Sequence, residues 1–240
     1  MLHAYNPPSR FLPYLSWTEI AELPNKENTV IVLPTGATEQ HGPHLPCSVD
    51  TTISAGVVGH ALTRLPDHVP AYAMAPITYG KSEEHLHFPG TMTLTGETLL
   101  ATMNEIGESV YRAGFRKLLI VNGHGGQPQV MEISARELRL RHGDFIVVPS
   151  FTWRVPHSAG QYLSDKEKKL AMHAGHAETA LMWHWPPKRC TWKKLWPITL
   201  QSFPPNCCRP MAVLPALGAL ETLVLAGSLA TLCQPPANKA

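Results

Sequence analysis

Apolar runs that alternate with helical stretches constrain the fold of this chain more than any other feature of its 240 residues. Each run is short and lacks charges in its interior, which is typical of a buried strand. The runs are residues 28–36, 71–80, 117–126 and 144–151, and the helical stretches between them are 51–65, 96–114 and 128–143. Strands that are apolar throughout and alternate with helices predict an α/β fold: a mostly parallel sheet sandwiched by helices in a single domain.

Two of the predicted helices carry residues that favour a helix start. Asp50 stands directly before 51–65, where its carboxylate would act as an N-cap. Pro128 lies in the first turn of 128–143, a position that tolerates proline because the missing N–H has no helical partner there. Both helices are therefore expected to begin just after a loop that follows a strand.

Acidic residues and histidines are concentrated in the loops that follow the predicted strands. The segment 35–50, "TGATEQHGPHLPCSVD", and the loop 122–126, "NGHGG", lie at strand ends, and 173–180, "HAGHAETA", comes later. In open parallel sheets, ligands bind beyond the carboxyl ends of the strands. Carboxylate oxygens and imidazole nitrogens are ligands that zinc and manganese accept. These segments supply five candidate metal ligands: Glu39, His41, Asp50, His124 and Glu178.

Five ligands of this kind exceed the needs of one tetrahedral zinc ion with an open position. They suit two divalent metal ions, zinc or manganese, that share a bridging carboxylate. Asp50 is the best bridge because it is the central member of the set. Solvated polar residues near a turn would explain one such loop, but they explain three separated motifs poorly.

Other residues in these segments are candidates for catalysis and substrate binding. His173 has a pKa range that suits proton donation to a leaving nitrogen, although it could be an ordinary loop histidine. His85 and His87, in "YGKSEEHLHFPGT", could line the substrate pocket or serve as structural polar residues. Gly125 and Gly126 would let the backbone approach a metal ion or substrate closely. A phosphate-binding loop is disfavoured, because the segment lacks a Walker lysine and the GxGxxG spacing.

Composition argues against several other classes of protein. A formal net charge of +2 gives no electrostatic argument for nucleic acid or an anionic membrane as a partner. The five cysteines are odd in number and form no CxxC pair, so neither a disulfide framework nor a cysteine-rich zinc site is expected. The first residues include prolines where a signal peptide needs an apolar run, which predicts a cytoplasmic chain.

Four of these motifs together resemble the creatininase (creatinine amidohydrolase) family. They are "LPTGATEQHGPHLPCSVD", "YGKSEEHLHFPGT", "NGHGGQ" and "HAGHAETA", in that order along the chain. The resemblance implies an α/β sandwich, a binuclear zinc or manganese site and often a homohexamer. It also implies that Glu39 and His124 bind one metal ion, that His41 binds the other, and that Asp50 bridges them. His173 matches the position of a proton shuttle.

One position departs from creatininase itself, where a glutamate two residues after the glycine-loop histidine is a ligand. Gly126 occupies that position here, so we expect Glu178 to complete the second metal site. The departure weakens the case for creatinine as the substrate. The resemblance implies a metal-dependent amidohydrolase that hydrolyses a cyclic or other amide bond of a small molecule. The alternatives are a non-catalytic metal-binding member and a hydrolase or isomerase that acts on a different bond.

The composition of the chain changes after Leu181. Residues 182–240 hold a single acidic residue, Glu221, and four of the five cysteines, without a clear periodicity. Within them, 211–233 is apolar enough to resemble a membrane span. Rereading the back-translated tail in a shifted frame yields two stretches that resemble family members. We therefore predict a creatininase-like domain at 1–181 and a frameshifted, poorly ordered tail at 182–240, in which the membrane-like run is an artefact.

Overall fold

Four parallel strands form the centre of this computed structural model, whose described residues are 5–156 and 158–185. The strands are β1 (Val30–Thr35), β2 (Ala71–Ala73), β3 (Lys117–Asn122) and β4 (Ile146–Phe151), in the spatial order β2-β1-β3-β4. β1 and β3 pair in register, from Val30 opposite Lys117 to Thr35 opposite Asn122. The carboxyl ends of the two central strands therefore meet at one edge of the sheet.

Six α-helices accompany the sheet in the described part of the chain. They are α1 (Trp17–Glu22), α2 (Val49–Arg64), α3 (Gly96–Arg112), α4 (Pro128–Arg141), α5 (Asp165–Leu170) and α6 (His176–His184). Helix α2 packs on one face of the sheet, whereas α3 and α4 pack on the other. Helices on both faces of a parallel sheet confirm the predicted α/β sandwich.

The alternation of side chains along β1 explains why this strand is apolar at almost every position. Val30 and Val32 contribute to the core beneath α2, together with Val58 of that helix. Ile31 and Leu33 contribute to the opposite core, beneath α3 and α4. Successive side chains of a strand face opposite sides of the sheet, so burial on both faces requires an unbroken apolar run.

The start of α4 at Pro128 is as predicted, whereas two other local predictions are wrong. Ser48 is the N-cap of α2, so Asp50 lies within the first turn of the helix and does not cap it. The physical reason is that the Asp50 carboxylate is buried against two histidines. β2 ends at Ala73 and does not continue to residue 80, because Pro76 has no N–H to donate to a strand partner.

Helix α6 packs on α2 and carries the described chain past Leu181. Met182 and Trp185 are buried together with Val49 and Ile53 of α2. The predicted tail begins within this helix, and 186–240, which hold nearly all of it, lie outside the described residues. Of the helices in the described ranges, none has both the length and the apolar run needed to cross a membrane.

Candidate metal centre

Four buried polar side chains meet at the carboxyl edge of the sheet. Glu39 and His41 lie in the loop after β1, Asp50 in the first turn of α2, and His124 in the loop after β3. Each is almost fully buried, although ionisable side chains normally stay in water. Glu178, from the first turn of α6, completes the group and is mostly buried. The structure thus brings together all five residues that the sequence proposed as ligands.

Two glycines allow the loops of this centre to approach one another. A Cβ atom at Gly36 would overlap the backbone of Thr51 in α2, and a Cβ atom at Gly123 would overlap the carbonyl oxygen of Asp50. Neither glycine has a positive φ, so each is required for space and not for its backbone conformation. A larger residue at either position would push a strand exit away from the start of α2.

Asp50 lies between the two histidines and faces each of them with a different oxygen. Its Oδ1 is 3.3 Å from His41 Nε2, and its Oδ2 is 3.1 Å from His124 Nδ1. Glu39 Oε1 is 3.3 Å from His124 Nδ1 and 3.9 Å from His41 Nε2. Glu178 Oε1 is 4.0 Å from His41 Nε2. A carboxylate flanked in this way has the arrangement of a bridge between two cation sites.

Backbone carbonyl groups determine which nitrogen of each histidine faces the centre. His41 Nδ1 lies 3.2 Å from the carbonyl oxygen of Glu39, and His124 Nε2 lies 2.8 Å from the carbonyl oxygen of Lys81. A carbonyl oxygen only accepts, so each of these nitrogens donates its proton there. The other nitrogens, His41 Nε2 and His124 Nδ1, therefore present lone pairs to the centre when the rings are neutral. Metal-binding histidines commonly donate their second N–H in this way.

The carboxylates and histidines of the centre shift one another's pKa values. Burial opposes a charged His124, but the carboxylates of Asp50 and Glu39 outweigh it and raise its pKa to about 10. For His41, burial is likewise outweighed by Asp50 and Glu178, and the pKa is raised. Burial favours a neutral Asp50, yet the two histidines lower its pKa from 3.8 to about 2. Burial raises the pKa of Glu178 to about 7. The centre therefore attracts positive charge, and a divalent cation would compete with protons for it.

The donor atoms of the centre fit a divalent cation. Glu39, His41 and Asp50 form a group whose ligand atoms lie within 4.8 Å of one another, and His41, His173 and Glu178 form a second such group. When the two rings are neutral, His41 Nε2, Asp50 Oδ2 and Glu178 Oε2 are buried acceptors without a hydrogen-bond donor, and a bound cation would take the place of that donor. Mixed imidazole and carboxylate ligands suit zinc and manganese.

His173 stands between the centre and a cavity of about 380 Å³. Its Nε2 donates to the carbonyl oxygen of Gln40 at 2.6 Å, and its Nδ1 lies 3.5 Å from Glu39 Oε1. Burial and the neighbouring His41 lower the pKa of His173, so the ring is neutral at pH 7. Since Nε2 carries the proton, Nδ1 is the atom that can accept a further proton on the side of the centre.

The cavity beside His173 is walled mainly by apolar and aromatic groups. Phe151 and Trp153 line it, and Gly125 and Glu178 face it from the side of the centre. At Gly125 the space that a Cβ atom would occupy is open. An apolar pocket next to ionisable residues with shifted pKa values is the usual form of a substrate site.

Three other residues predicted to contact substrate, His85, His87 and Gly126, do not line the cavity. His85 stacks on His173, with ring centroids 4.4 Å apart, and its Nδ1 is 3.1 Å from Gln40 Nε2. His85 therefore supports the His173 ring from behind. His87 is exposed and packs on Phe88. Gly126 lies under the side chain of Glu84, whereas Gly125 faces the cavity.

Three residues at the centre were not proposed from the sequence. Ser82 is fully buried, and its Oγ donates to the Glu39 carboxylate. Glu84 forms a third group with Glu39 and His124, again with ligand atoms within 4.8 Å of one another. Gln40 contacts both His173 and His85. All three belong to the motifs that carry the other site residues, but a loop sequence does not show which side chains point inwards.

A protein-family model described as creatinine amidohydrolase matches residues 13–206, which include every segment of the centre. The chain belongs to the creatininase family. The resemblance seen in the four motifs is thereby confirmed. The match also continues beyond Met182, where the sequence predicts the tail to begin.

Two curated members of the creatininase family differ in the activity for which they are named. A mycofactocin precursor peptide peptidase of Mycobacterium ulcerans (strain Agy99) is 36% identical over 163 residues, which cover 66% of this chain and 59% of the relative. A creatinine amidohydrolase of Pseudomonas putida is 34% identical over 155 residues, which cover 60% of this chain and 58% of the relative. The chain thus spans less than two thirds of the length of these relatives.

Solved creatininase structures share the fold of this chain. A structure named "Creatininase Mn" is 33% identical, with a TM-score of 0.61, and the match covers 72% of this chain and 71% of that one. A mutant creatininase of "Zn-Zn type" is 28% identical, with a TM-score of 0.67, and the match covers 93% of each chain. The names of these relatives therefore include both manganese and zinc forms.

Proposed function

We propose that this chain is a metal-dependent amidohydrolase that cleaves an amide C–N bond at a binuclear centre for zinc or manganese. The observation that carries the proposal is the Asp50 carboxylate, whose two oxygens face histidines from two different loops. One half of the centre then contains Glu39 and His124, and the other contains His41 and Glu178. Family membership and the names of the relatives support a hydrolase.

The chain's own groups have defined tasks in such a reaction. Divalent ions bound at the centre would polarise the amide carbonyl and lower the pKa of the attacking water. Asp50, Glu39 and Glu178 would hold and neutralise the positive charge. His173 is neutral at pH 7 and directs Nδ1 towards the centre, so it accepts a proton from the water and delivers it to the leaving nitrogen. The Gln40 carbonyl fixes the orientation of the His173 ring during both steps.

The cavity and the relatives together limit the substrate class. A volume of about 380 Å³ lies near the lower end of the range of ligand sites, about 300–1,000 Å³. The relatives are named as a creatinine amidohydrolase and as a peptide peptidase. We therefore propose that the substrate is a small molecule or short peptide, and that the bond cleaved is a cyclic amide or an amide at the end of the peptide. Gly126, in place of the glutamate expected in creatininase, argues against creatinine itself.

Metal content of the purified chain tests the binuclear centre. We expect about two equivalents of zinc or manganese by mass spectrometry. A Glu39→Ala/His124→Ala variant should lose them, because it removes both side chains of one half and a neighbour of the bridge. Glu108→Ala/His142→Ala is the matched control, since it removes a part-exposed Glu–His pair with an N–O distance of 2.7 Å outside the centre. A folded wild-type chain that binds no metal would overturn the proposal.

Activity of the metal-loaded chain separates the enzyme from its alternatives. The substrates to screen are cyclic amides and short peptides, with product detected by mass spectrometry. Turnover that is lost in the Glu39→Ala/His124→Ala variant supports the amidohydrolase. A chain that binds two ions but cleaves none of these amides would favour the non-catalytic member, or a hydrolase or isomerase for a different bond.

The tail, assembly and location are separate proposals. We propose a frameshift after Leu181 as the cause of the tail's composition, and resequencing of the gene tests it. One intact frame whose codons cannot encode a family-like end would refute the frameshift, and the read must extend beyond residue 206, where the family match ends.

We propose that the chain forms a homo-oligomer, namely a hexamer, and light scattering of the purified chain tests this assembly. We also propose a cytoplasmic location, which cell fractionation tests.

A further inference from the structure

The carboxylate of Glu84 lies beside the half of the centre that contains Glu39 and His124. Glu84 Oε1 is 3.6 Å from His124 Nε2, and the Glu84 side chain is 42% exposed, so it reaches the centre from the solvent side. The ligand atoms of Glu39, Glu84 and His124 lie within 4.8 Å of one another. The function proposed above assigns no task to this side chain.

Gly126 provides the space that the Glu84 carboxylate occupies. A Cβ atom at Gly126 would overlap Glu84 Oε1 and would also collide with the His124 ring and the Lys81 carbonyl oxygen. Gly126 has no positive φ, so its backbone conformation does not require glycine. The absence of a side chain at position 126 therefore serves to admit a carboxylate that comes from another loop.

The segment 81–84 is anchored to the centre by two hydrogen bonds, one from each of two adjacent residues. The Lys81 carbonyl oxygen accepts from His124 Nε2, and Ser82 Oγ donates to the Glu39 carboxylate. A short 3-10 helix, Glu83–His85, follows and directs Glu84 towards His124. The position of the Glu84 backbone is therefore set by the same two residues that its carboxylate approaches.

The neighbouring Glu83 shows that the placement of Glu84 is specific. Glu83 Oε2 lies 3.0 Å from Lys81 Nζ and forms a solvent-exposed ion pair, with 46% of its side chain exposed. The two adjacent glutamates thus have similar exposure and the same charge, but only Glu84 belongs to a group of ligand-type atoms within the described residues. Glu83 is for this reason a matched control for Glu84.

We propose that Glu84 is an additional carboxylate ligand of the Glu39–His124 half of the centre, admitted by the missing side chain of Gly126; this rests on the binuclear centre proposed above. A second observation points to a cation in the same half of the centre. Asp50 Oδ2 is buried, lies 3.1 Å from His124 Nδ1 and lacks a hydrogen-bond donor when the His124 ring is neutral. Glu39, Asp50 and Glu84 would then supply oxygen donors to one cation, and His124 would supply Nδ1, since its Nε2 donates to the Lys81 carbonyl.

The test is titration of the metal-free full chain with Co²⁺, followed by visible absorption. Cobalt reports each binding step and the coordination of the ion without any assay of activity. The variants are Glu84→Gln, which keeps the size but removes the charge, and Glu84→Asp, which keeps the charge but withdraws it by one methylene. Glu83→Gln is the control, and circular dichroism establishes that each variant is folded.

We expect Glu84→Gln and Glu84→Asp to weaken one of the two binding steps by more than about tenfold and to change its absorption band, with Glu83→Gln within about twofold of wild type. Unchanged binding in Glu84→Gln, wild-type binding in Glu84→Asp, or equal weakening in Glu83→Gln would each overturn the assignment. These results would leave the binuclear centre intact. A wild-type chain that binds no cobalt would overturn both proposals.

Discussion

Asp50→Asn removes the charge at the middle of the centre and leaves the size of the side chain almost unchanged. In the protein without metal, the two histidines lower the pKa of Asp50 from 3.8 to about 2, against the effect of burial. At about 1.36 kcal/mol per pKa unit, this corresponds to about 2 kcal/mol of stability from the charged carboxylate. The pKa of His124 shifts by more than that of Asp50, but Glu39 contributes to the His124 shift. The Asp50 shift is therefore the better measure of what the Asp50 charge contributes to stability.

The pH dependence of this contribution has a defined sign. The folded pKa of Asp50, about 2, lies below the unfolded value of 3.8. The stability is therefore complete above about pH 5 and is lost as the pH falls through the unfolded and then the folded pKa. Asp50→Asn removes the carboxyl group, so its own stability lacks this part of the acid dependence.

Urea unfolding in excess chelator, at pH 6 and at pH 3, measures the effect. At pH 6 we expect the unfolding free energy of Asp50→Asn to be lower than that of wild type by about 2 kcal/mol. The difference should shrink at pH 3. Asp144→Asn is the control, because Asp144 is 62% exposed and its ion pair with Arg116 contributes little. Equal stability of Asp50→Asn and wild type at pH 6 would refute the reasoning.

Three further outcomes are expected. Metal binding at pH 7 should release protons, because His124 has a pKa of about 10 and its ring therefore carries an extra proton that the metal displaces. Calorimetry in two buffers of different ionisation enthalpy measures the release. A heat of binding that is the same in both buffers would contradict it. His173→Asn should keep its metal but lose about 10²–10⁴-fold in turnover, with His87→Asn as the exposed control, whereas loss of metal would make His173 a ligand. Trp185→Ala should lower the unfolding free energy by about 3–5 kcal/mol, because the indole is buried against Gly56. Urea unfolding measures the change. An unchanged unfolding midpoint would show that the contact contributes nothing to stability.

The sheet could be predicted because the burial of its central strands is visible in their residue types. β1 and β3 are buried on both faces, so their apolar residues form unbroken runs, and the helices between them are long enough to recognise. The predicted length of β2 is too great, because 71–80 is apolar as a whole whereas the strand ends at Ala73. Pro76 interrupts the strand: Met74 N–H donates to Val32 of β1, whereas Ile77 N–H donates to Pro34 and the Ile77 carbonyl oxygen accepts from Gly36. An apolar run therefore located the strand but did not define where it ends.

The site was predictable where ligand chemistry coincides with a strand end, as for Glu39, His41 and His124. The sequence offers Asp50 both as a helix cap and as a bridge; Ser48 is the cap, and the bridge stays a prediction that the contacts of Asp50 with both histidines support. Glu84 was not found, because its role depends on the empty space at residue 126 of another loop. Such a relation between distant positions is a property of packing, and neither loop shows it alone.

His41 and Glu178 are far apart along the described chain, yet His41 Nε2 lies 4.0 Å from Glu178 Oε1. A cation held by these two side chains would join the segment after β1 to α6 and would close a loop that contains most of the sheet and its helices. Closing a loop of about 140 residues lowers the entropy of the unfolded chain by an amount worth about 5 kcal/mol. A bound ion would thus act as a removable cross-link, and the lifetime of the folded chain would rise and fall with the metal supply around it.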